Sequence, residues 1–171
     1  MNLLLDPPRP ATGSRPRAAI PNKARPGRIL VADDDATVRA SLAEVLESEG
    51  YSVGEARNGV EAVTCAIEQA FSLVLPDLNM PHWDGWTAFT QLDRVTPLLP
   101  VIVITARPHQ YEKAVQLGVD AFMEKPLDVP VLLEAIARLV AEDFSARVKR
   151  VTSPQFVTRL LTPRVTEFSR P

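Results

Sequence analysis

Arg28-Ile29-Leu30-Val31-Ala32-Asp33-Asp34-Asp35 is an apolar run that ends in three acids, and the chain repeats that device. Leu73-Val74-Leu75-Pro76 runs into Asp77, Val101-Ile102-Val103-Ile104 into Thr105-Ala106, and Ala121-Phe122-Met123-Glu124 into Lys125-Pro126. Continuous apolar runs are what strands need when helices cover both faces of a sheet. If the strands are parallel, their carboxyl ends share one edge, where open α/β sheets hold their ligands. The acids, the hydroxyl and the amine would then converge on one crevice.

The intervening sequence supplies the helices. Strand 28–33 is followed by helical spacing over about 36–48, with Val38, Leu42, Val45 and Leu46 on one stripe and Gly50 as its stop. Tyr51–Ala56 reads as the second strand. Asn58-Gly59 opens a helix reaching Gln69, with Val60, Val63 and Ile67 expected inward. Strand 72–77, loop Asn79–Gly85, a helix to Val95, strand 100–105, a helix from Gln110 to Leu117 stopped by Gly118, strand 120–125 and a helix over 129–142 complete the alternation. Leu132, Leu133, Ile136, Leu139 and Val140 form the apolar side of that last helix. Alternation of this kind implies a mostly parallel sheet crossed over right-handedly on both faces, with five strands and five helices.

At 171 residues the chain fits one such domain with tails. Its formal charge of −2 conceals a segregation: residues 28–140 carry −9, residues 1–27 carry +4 and residues 141–171 carry +3. An acidic middle suits a metal cation better than a nucleic-acid backbone, so direct nucleic-acid binding is not expected. Residues 1–27 hold six of the 16 prolines and read as a disordered tail ahead of a domain spanning 28–142. Residues 143–171 show weak helical spacing broken by Pro154 and Pro163, and are expected to be a partly helical or disordered extension, too short for a DNA-binding domain of its own. Cys65 is the single cysteine, which points to a reducing compartment and a small buried hydrophobe. No apolar stretch approaches the roughly 20 residues of a membrane helix. Met1–Leu5 lacks the basic start and the length of a secretion signal, so a soluble, cytoplasmic protein is expected.

Three adjacent acids repel one another and tolerate ionisation better beside a cation. A hard divalent ion with oxygen ligands, Mg²⁺ above all, fits such a set once Asp77 adds a carboxylate from the neighbouring strand. Asp35 belongs instead to the cap of the first helix. An aspartate can attack phosphorus to form an acyl phosphate, and phosphoryl transfer is mostly positioning and charge neutralisation. A metal on Asp34 and Asp77 would neutralise one phosphoryl oxygen, Lys125 would pair with a second, and Thr105 would hydrogen-bond the third.

These motifs resemble the receiver domain of bacterial two-component response regulators, of CheY-like, flavodoxin-type fold. Ile29–Asp35 resembles the acidic motif of the first strand, Asp77–Gly85 the phosphoacceptor loop, Ile104-Thr105-Ala106 the end of the fourth strand and Lys125-Pro126 that of the fifth. The resemblance covers about residues 28–142. It implies a doubly wound (βα)5 sheet in the order 2-1-3-4-5. It also implies that Asp77 takes a phosphoryl group from a histidine kinase or a histidine phosphotransfer protein, so that the chain turns over only its own phosphate and is not otherwise an enzyme. Asp34, Asp77 and the backbone carbonyl of Asn79 would bind Mg²⁺, with Asp33 assisting through water. Thr105 and Lys125 would hold phosphoryl oxygens, and Ala106 would leave room for them. Phe122 falls at an aromatic switch position, to rotate inward as Thr105 moves. A partner would dock on the fourth helix, fifth strand and fifth helix, and homodimerisation is left open.

Other readings exist. A degenerate receiver would serve only as an interaction module; the complete acid, Thr and Lys set argues against it. A metal-dependent phosphatase would need a second aspartate where Asn79 stands. A flavin-binding relative would need a phosphate cradle where three aspartates repel phosphate. His82 and His109 are too far apart for a zinc signature. Gly85 and Gly118 read as backbone requirements, and Asn79 and Arg107 flank the approach of attacking water. Pro76 departs from the pattern, because proline cannot donate to a central ladder. It is expected to cost stability or to displace Asp77 without abolishing phosphorylation.

Overall fold

The computed structural model describes residues 27–81 and 83–163. The expected disordered tail lies outside these residues apart from Gly27, as do His82 and the end of the extension. The elements run β1 (Arg28–Ala32), α1 (Ala36–Ser48), β2 (Ser52–Ala56), α2 (Gly59–Glu68), β3 (Leu73–Pro76), α3 (Gly85–Val95), β4 (Ile102–Thr105), α4 (Tyr111–Leu117), β5 (Ala121–Glu124), α5 (Val129–Val140), α6 (Phe144–Val151) and β6 (Arg159–Leu161).

Local chemistry sets most helix starts. Asp35, Asn58, Asp84, Asp128 and Asp143 each accept a hydrogen bond from a backbone N–H in the first turn of the helix that follows. Each satisfies a donor that has no partner inside its helix. Gly50 and Gly118 follow α1 and α4 with φ of 89° and 75°, values that glycine adopts without strain.

Alternate strand residues feed opposite cores, the signature of a sheet covered on both sides. Leu30, Val74, Val103 and Phe122 pack with Phe89 and Leu92 of α3 and the small residues of α2. Ile29, Leu75, Ile104 and Met123 pack with Leu42 and Leu46 of α1 and Ile136 of α5. Each such fully buried side chain contributes about 1.5–3 kcal/mol of transfer free energy.

Parallel pairing gives β2-β1-β3 on one side and β4-β5-β6 on the other. Val74–Val101 and Asp77–Ile104 bridges join the halves, so the strands follow the expected 2-1-3-4-5 order with β6 added beyond β5. The weak seam has a simple cause. The Val74 amide donates to the Pro100 carbonyl at 2.9 Å, towards β4, and the Asp77 amide to the Ala32 carbonyl at 2.8 Å, towards β1. Amides alternate in direction along a strand, so position 76 also faces β4, where proline has no hydrogen to give. Pro76 therefore interrupts the β3–β4 ladder but leaves the bond that seats Asp77.

One expectation needs correction. The inward face of α2 is not Val60 and Ile67, which are 43% and 64% exposed; Gly59, Ala62 and Ala66 are buried instead. The reason is close packing on α3: a Cβ on Gly59 would lie 2.7 Å from the Ala88 Cβ. Helices this near admit only small side chains between them, which turns the larger residues outward. The five strands and five helices expected over 28–142 are all present, and among the described residues the extension adds a sixth of each, because residues 144–161 fold back. β6 pairs in parallel with β5, Ala121 opposite Arg159 and Met123 opposite Leu161. Arg147 of α6 is buried, and its Nη2 donates to Asp120 Oδ2 at 2.8 Å while Nη1 bonds Oδ1 of the same carboxylate.

Candidate functional site

The carboxyl ends of β1, β3, β4 and β5 converge as the sequence implies. Asp33 follows β1 and is buried; Asp77 follows β3 and is buried; Asp34 is exposed beside them. One carboxylate oxygen from each of the three lies within 4.8 Å of the other two. That spread is little more than the roughly 4.2 Å separating trans ligands of a Mg²⁺ bound at about 2.1 Å, and a set made only of oxygen donors suits that ion. The residues present fit it.

Lys125, just past β5, closes the group from the other side. Its Nζ lies 2.7 Å from Asp77 Oδ2 and 2.9 Å from Asp33 Oδ2. Burial works against the ammonium, but the hydrogen bonds to Asp77 and Asp33 outweigh it and raise its pKa above the ordinary lysine value. Burial pushes the Asp33 carboxyl up, and the bonds from Lys125 and the Asp35 amide reverse only part of that. The second oxygens are also held: the Asp35 amide donates to Asp33 Oδ1 at 2.9 Å and the Asn79 amide to Asp77 Oδ1 at 3.0 Å. Asp35 itself caps α1, and the Thr37 and Val38 amides hold its carboxyl below the usual range.

Thr105 ends β4, opposite Glu124 of β5 and one residue past the bridge between Ile104 and Asp77. It is fully buried, its carbonyl accepts the Lys125 amide at 2.8 Å, and its hydroxyl accepts the Arg107 amide at 3.0 Å. Ala106 follows at the exposed mouth. Arg107 Nε donates to the Asn79 side-chain oxygen, which ties the loop after β4 to the loop after β3. Gly85 shapes the Asp77 loop: a Cβ there would lie 2.4 Å from Leu78 Cα and 2.5 Å from the Asp77 carbonyl oxygen. No L side chain fits against that backbone.

Phe122 is already fully buried in β5, its ring 6.0 Å from that of Tyr111 on α4. The Tyr111 hydroxyl donates to the Thr158 carbonyl at 2.8 Å, so the aromatic pair is linked to the segment leading into β6. His109 lies in the loop before α4 with φ of 60°.

Sequence reasoning missed Arg39. It is buried on α1, with Nη1 2.6 Å from the Asp33 carbonyl oxygen and Nε 3.0 Å from Glu55 Oε2. These bonds hold the backbone of the acidic turn from behind. The signal was present: Arg39, Leu42, Ala43 and Leu46 form an i, i+3, i+4, i+7 stripe, and a charge on such a stripe needs a buried partner.

This geometry agrees with what comparison shows. Residues 29–137 match the model of the response regulator receiver domain. The chain belongs to the response regulator receiver domain family. The receiver is 34% identical over 144 residues to the transcriptional regulatory protein GlrR of Escherichia coli, across 80% of this chain and 32% of that protein. It thus spans about a third of that relative's length. Among solved structures it resembles the CheY-like receiver domain protein from Methanospirillum hungatei, with 29% identity and a TM-score of 0.64 over 67% of this chain and 94% of that one. The Thermotoga maritima response regulator TrrA, solved in complex with Mg²⁺-BeF, gives 29% identity and a TM-score of 0.62 over 66% of this chain and 97% of its own. No helix among the described residues of the receiver is long and apolar enough to cross a membrane.

Proposed function

We propose that this receiver accepts a phosphoryl group on Asp77, in the cytoplasm, from a histidine kinase or a histidine phosphotransfer protein. One observation carries the reading: Lys125 Nζ contacts Asp77 Oδ2 at 2.7 Å beside carboxylates able to hold a divalent cation. An Asp77 oxygen attacks the phosphorus of a phosphohistidine, the P–N bond breaks, and the electron pair leaves on the imidazole nitrogen. Lys125 then moves its positive charge from the carboxylate to a phosphoryl oxygen, and the Thr105 hydroxyl turns from accepting the Arg107 amide to donating to another. Ala106 leaves the third oxygen unobstructed. Asp34, Asp77 and the Asn79 carbonyl would hold Mg²⁺, with Asp33 assisting through water, and the ion would supply positive charge to the phosphoryl group. The relative solved with Mg²⁺-BeF supports that ion. Catalysis by the receiver serves its own phosphorylation and dephosphorylation.

The signal then passes to the face of α4, β5 and α5. As Thr105 moves, Phe122 has to shift against Tyr111, which is a two-state packing change biased by a new charge. In this chain that face includes α6 and β6, so a downstream protein would meet the extension as well.

The test is incubation with acetyl phosphate and Mg²⁺, followed by intact-mass spectrometry of wild type and Asp77→Asn. Wild type gains one phosphoryl group and the variant none. A folded wild type that gains nothing from acetyl phosphate or from a phosphorylated kinase defeats the proposal and leaves an interaction module.

A further inference from the structure

The extension builds a cavity of about 740 Å³ on the face away from the acidic cluster, between the end of α5, α6 and residues 153–159. Arg138, Lys149, Arg150 and Arg159 all line it. The acids beside it are already engaged. Asp120 is gripped by both Arg147 amino groups and by Arg150 Nη2 at 2.7 Å, and it also accepts the Val101 amide at 2.9 Å. Both Glu142 oxygens take bonds from Arg150, at 2.7 Å and 2.9 Å. Lys149 and Arg159 form no ion pair among the described residues. Burial, then the positive charges of Arg159 and Arg150, push the Arg138 guanidinium below its ordinary value. Cations crowded around a cavity with their local acids spent are the counterpart of a multiply charged anion.

We infer that the cavity formed by Arg138, Lys149, Arg150 and Arg159 binds an oligophosphate, either a nucleoside polyphosphate or the free inorganic chain. Size and field decide against a nucleic-acid duplex. A cavity of 740 Å³ falls within the range of small-ligand sites, about 300–1,000 Å³. The surrounding receiver, at −9 over residues 28–140, repels an extended phosphate backbone. Guanidinium forks match phosphate oxygens in pairs, which suits Arg138 and Arg159. Ser153 offers a hydroxyl on the same wall, and the half-buried Phe156 ring, already under the Arg150 guanidinium at 5.4 Å, lies where a base would reach. Arg159 belongs to β6 and its amide bonds the Asp120 carbonyl at 3.1 Å, so an occupied cavity would hold β6 against β5.

The test uses the full chain in buffer containing EDTA, which removes divalent cations from the acidic cluster. Calorimetric titration with sodium triphosphate and with ATP should give saturable binding that weakens with salt. Arg138→Gln and Arg159→Gln, both at exposed positions, should each lower affinity about tenfold. Arg57→Gln, an exposed arginine beside α2, should not change it. Amide exchange at residues 159–161 should slow with ligand in wild type and not in the double variant. Equal affinity for both ligands assigns recognition to the phosphate chain; tighter ATP binding adds the base. No saturable binding at millimolar ligand, or binding that survives the double substitution, overturns the inference.

Discussion

At the scale of single residues, the site is a balance between Lys125 and the acids it faces. Burial raises the Asp33 carboxyl despite the bonds from Lys125 and the Asp35 amide. A divalent ion binds the ionised carboxylates and displaces their protons. The sign follows: apparent Mg²⁺ affinity falls as pH drops through the Asp33 titration, and it does so above the ordinary aspartate value of about 3.9. Calorimetric Mg²⁺ titrations between neutral and mildly acidic pH check this, and Asp33→Asn should flatten the dependence. Arg107 offers a second test. Its bond to the Asn79 side chain spans the mouth of the site, on the approach a hydrolytic water would take. Arg107→Ala should shorten the acyl phosphate lifetime roughly fivefold, the kinetic equivalent of about 1 kcal/mol. Intact-mass measurement of phosphate decay after removal of the donor reads it directly; an unchanged or longer lifetime would remove Arg107 from the protecting role.

At the scale of elements, Pro76 and Arg147 show how one side chain governs a strand or a helix. Leucine at position 76 restores a donor towards β4, worth about 1 kcal/mol. It also returns to the unfolded chain the freedom that proline denied it, about 0.4–1 kcal/mol. The two nearly cancel, so Pro76→Leu should change stability by less than about 1 kcal/mol in urea melts. Asp77 keeps its bond to the Ala32 carbonyl, so its phosphorylation rate should be unaltered. A large change in rate would mean that the proline displaces the nucleophile after all. Arg147 is the larger effect. Removing Arg147 takes two charge-assisted bonds from the buried Asp120 and leaves it only Arg150 Nη2 and the Val101 amide, at a cost of about 1.5–3 kcal/mol. Arg147→Ala should therefore lower the urea midpoint and raise amide exchange across α6 and β6, whereas β1 to β3 keep their relative protection. Exchange unchanged in β6 would show that the strand docks without α6.

At the scale of the whole molecule, the extension decides what the receiver presents to the outside. β6 takes the free edge of β5, and the Tyr111 hydroxyl ties α4 to the same segment. The edge is short and ends the sheet, which limits pairing with another chain. The alternation of β1 to α5, the cover on both faces of the sheet and the meeting of Asp33, Asp34, Asp77, Thr105 and Lys125 at one sheet edge were legible in the chain. Their signals are local: apolar runs, glycine stops, side-chain caps and polar residues at strand ends. The buried face of α2 was not legible, because hydrophobicity alone ranks Val60 and Ile67 above Ala62 and Ala66. Only the approach of α3 at Gly59 reverses that order.

The sequence by itself determined the doubly wound sheet and the convergence of its polar strand ends, since each depends on residues that are neighbours along the chain. Tertiary structure alone decided that residues 144–161 close back on β5, that Arg39 and Glu55 brace the acidic turn, and that four cations share one cavity. Those outcomes rest on pairings between distant segments, such as Arg147 with Asp120 across 27 positions. The free energy of such pairs exists only once the chain has folded, so no local pattern announces it.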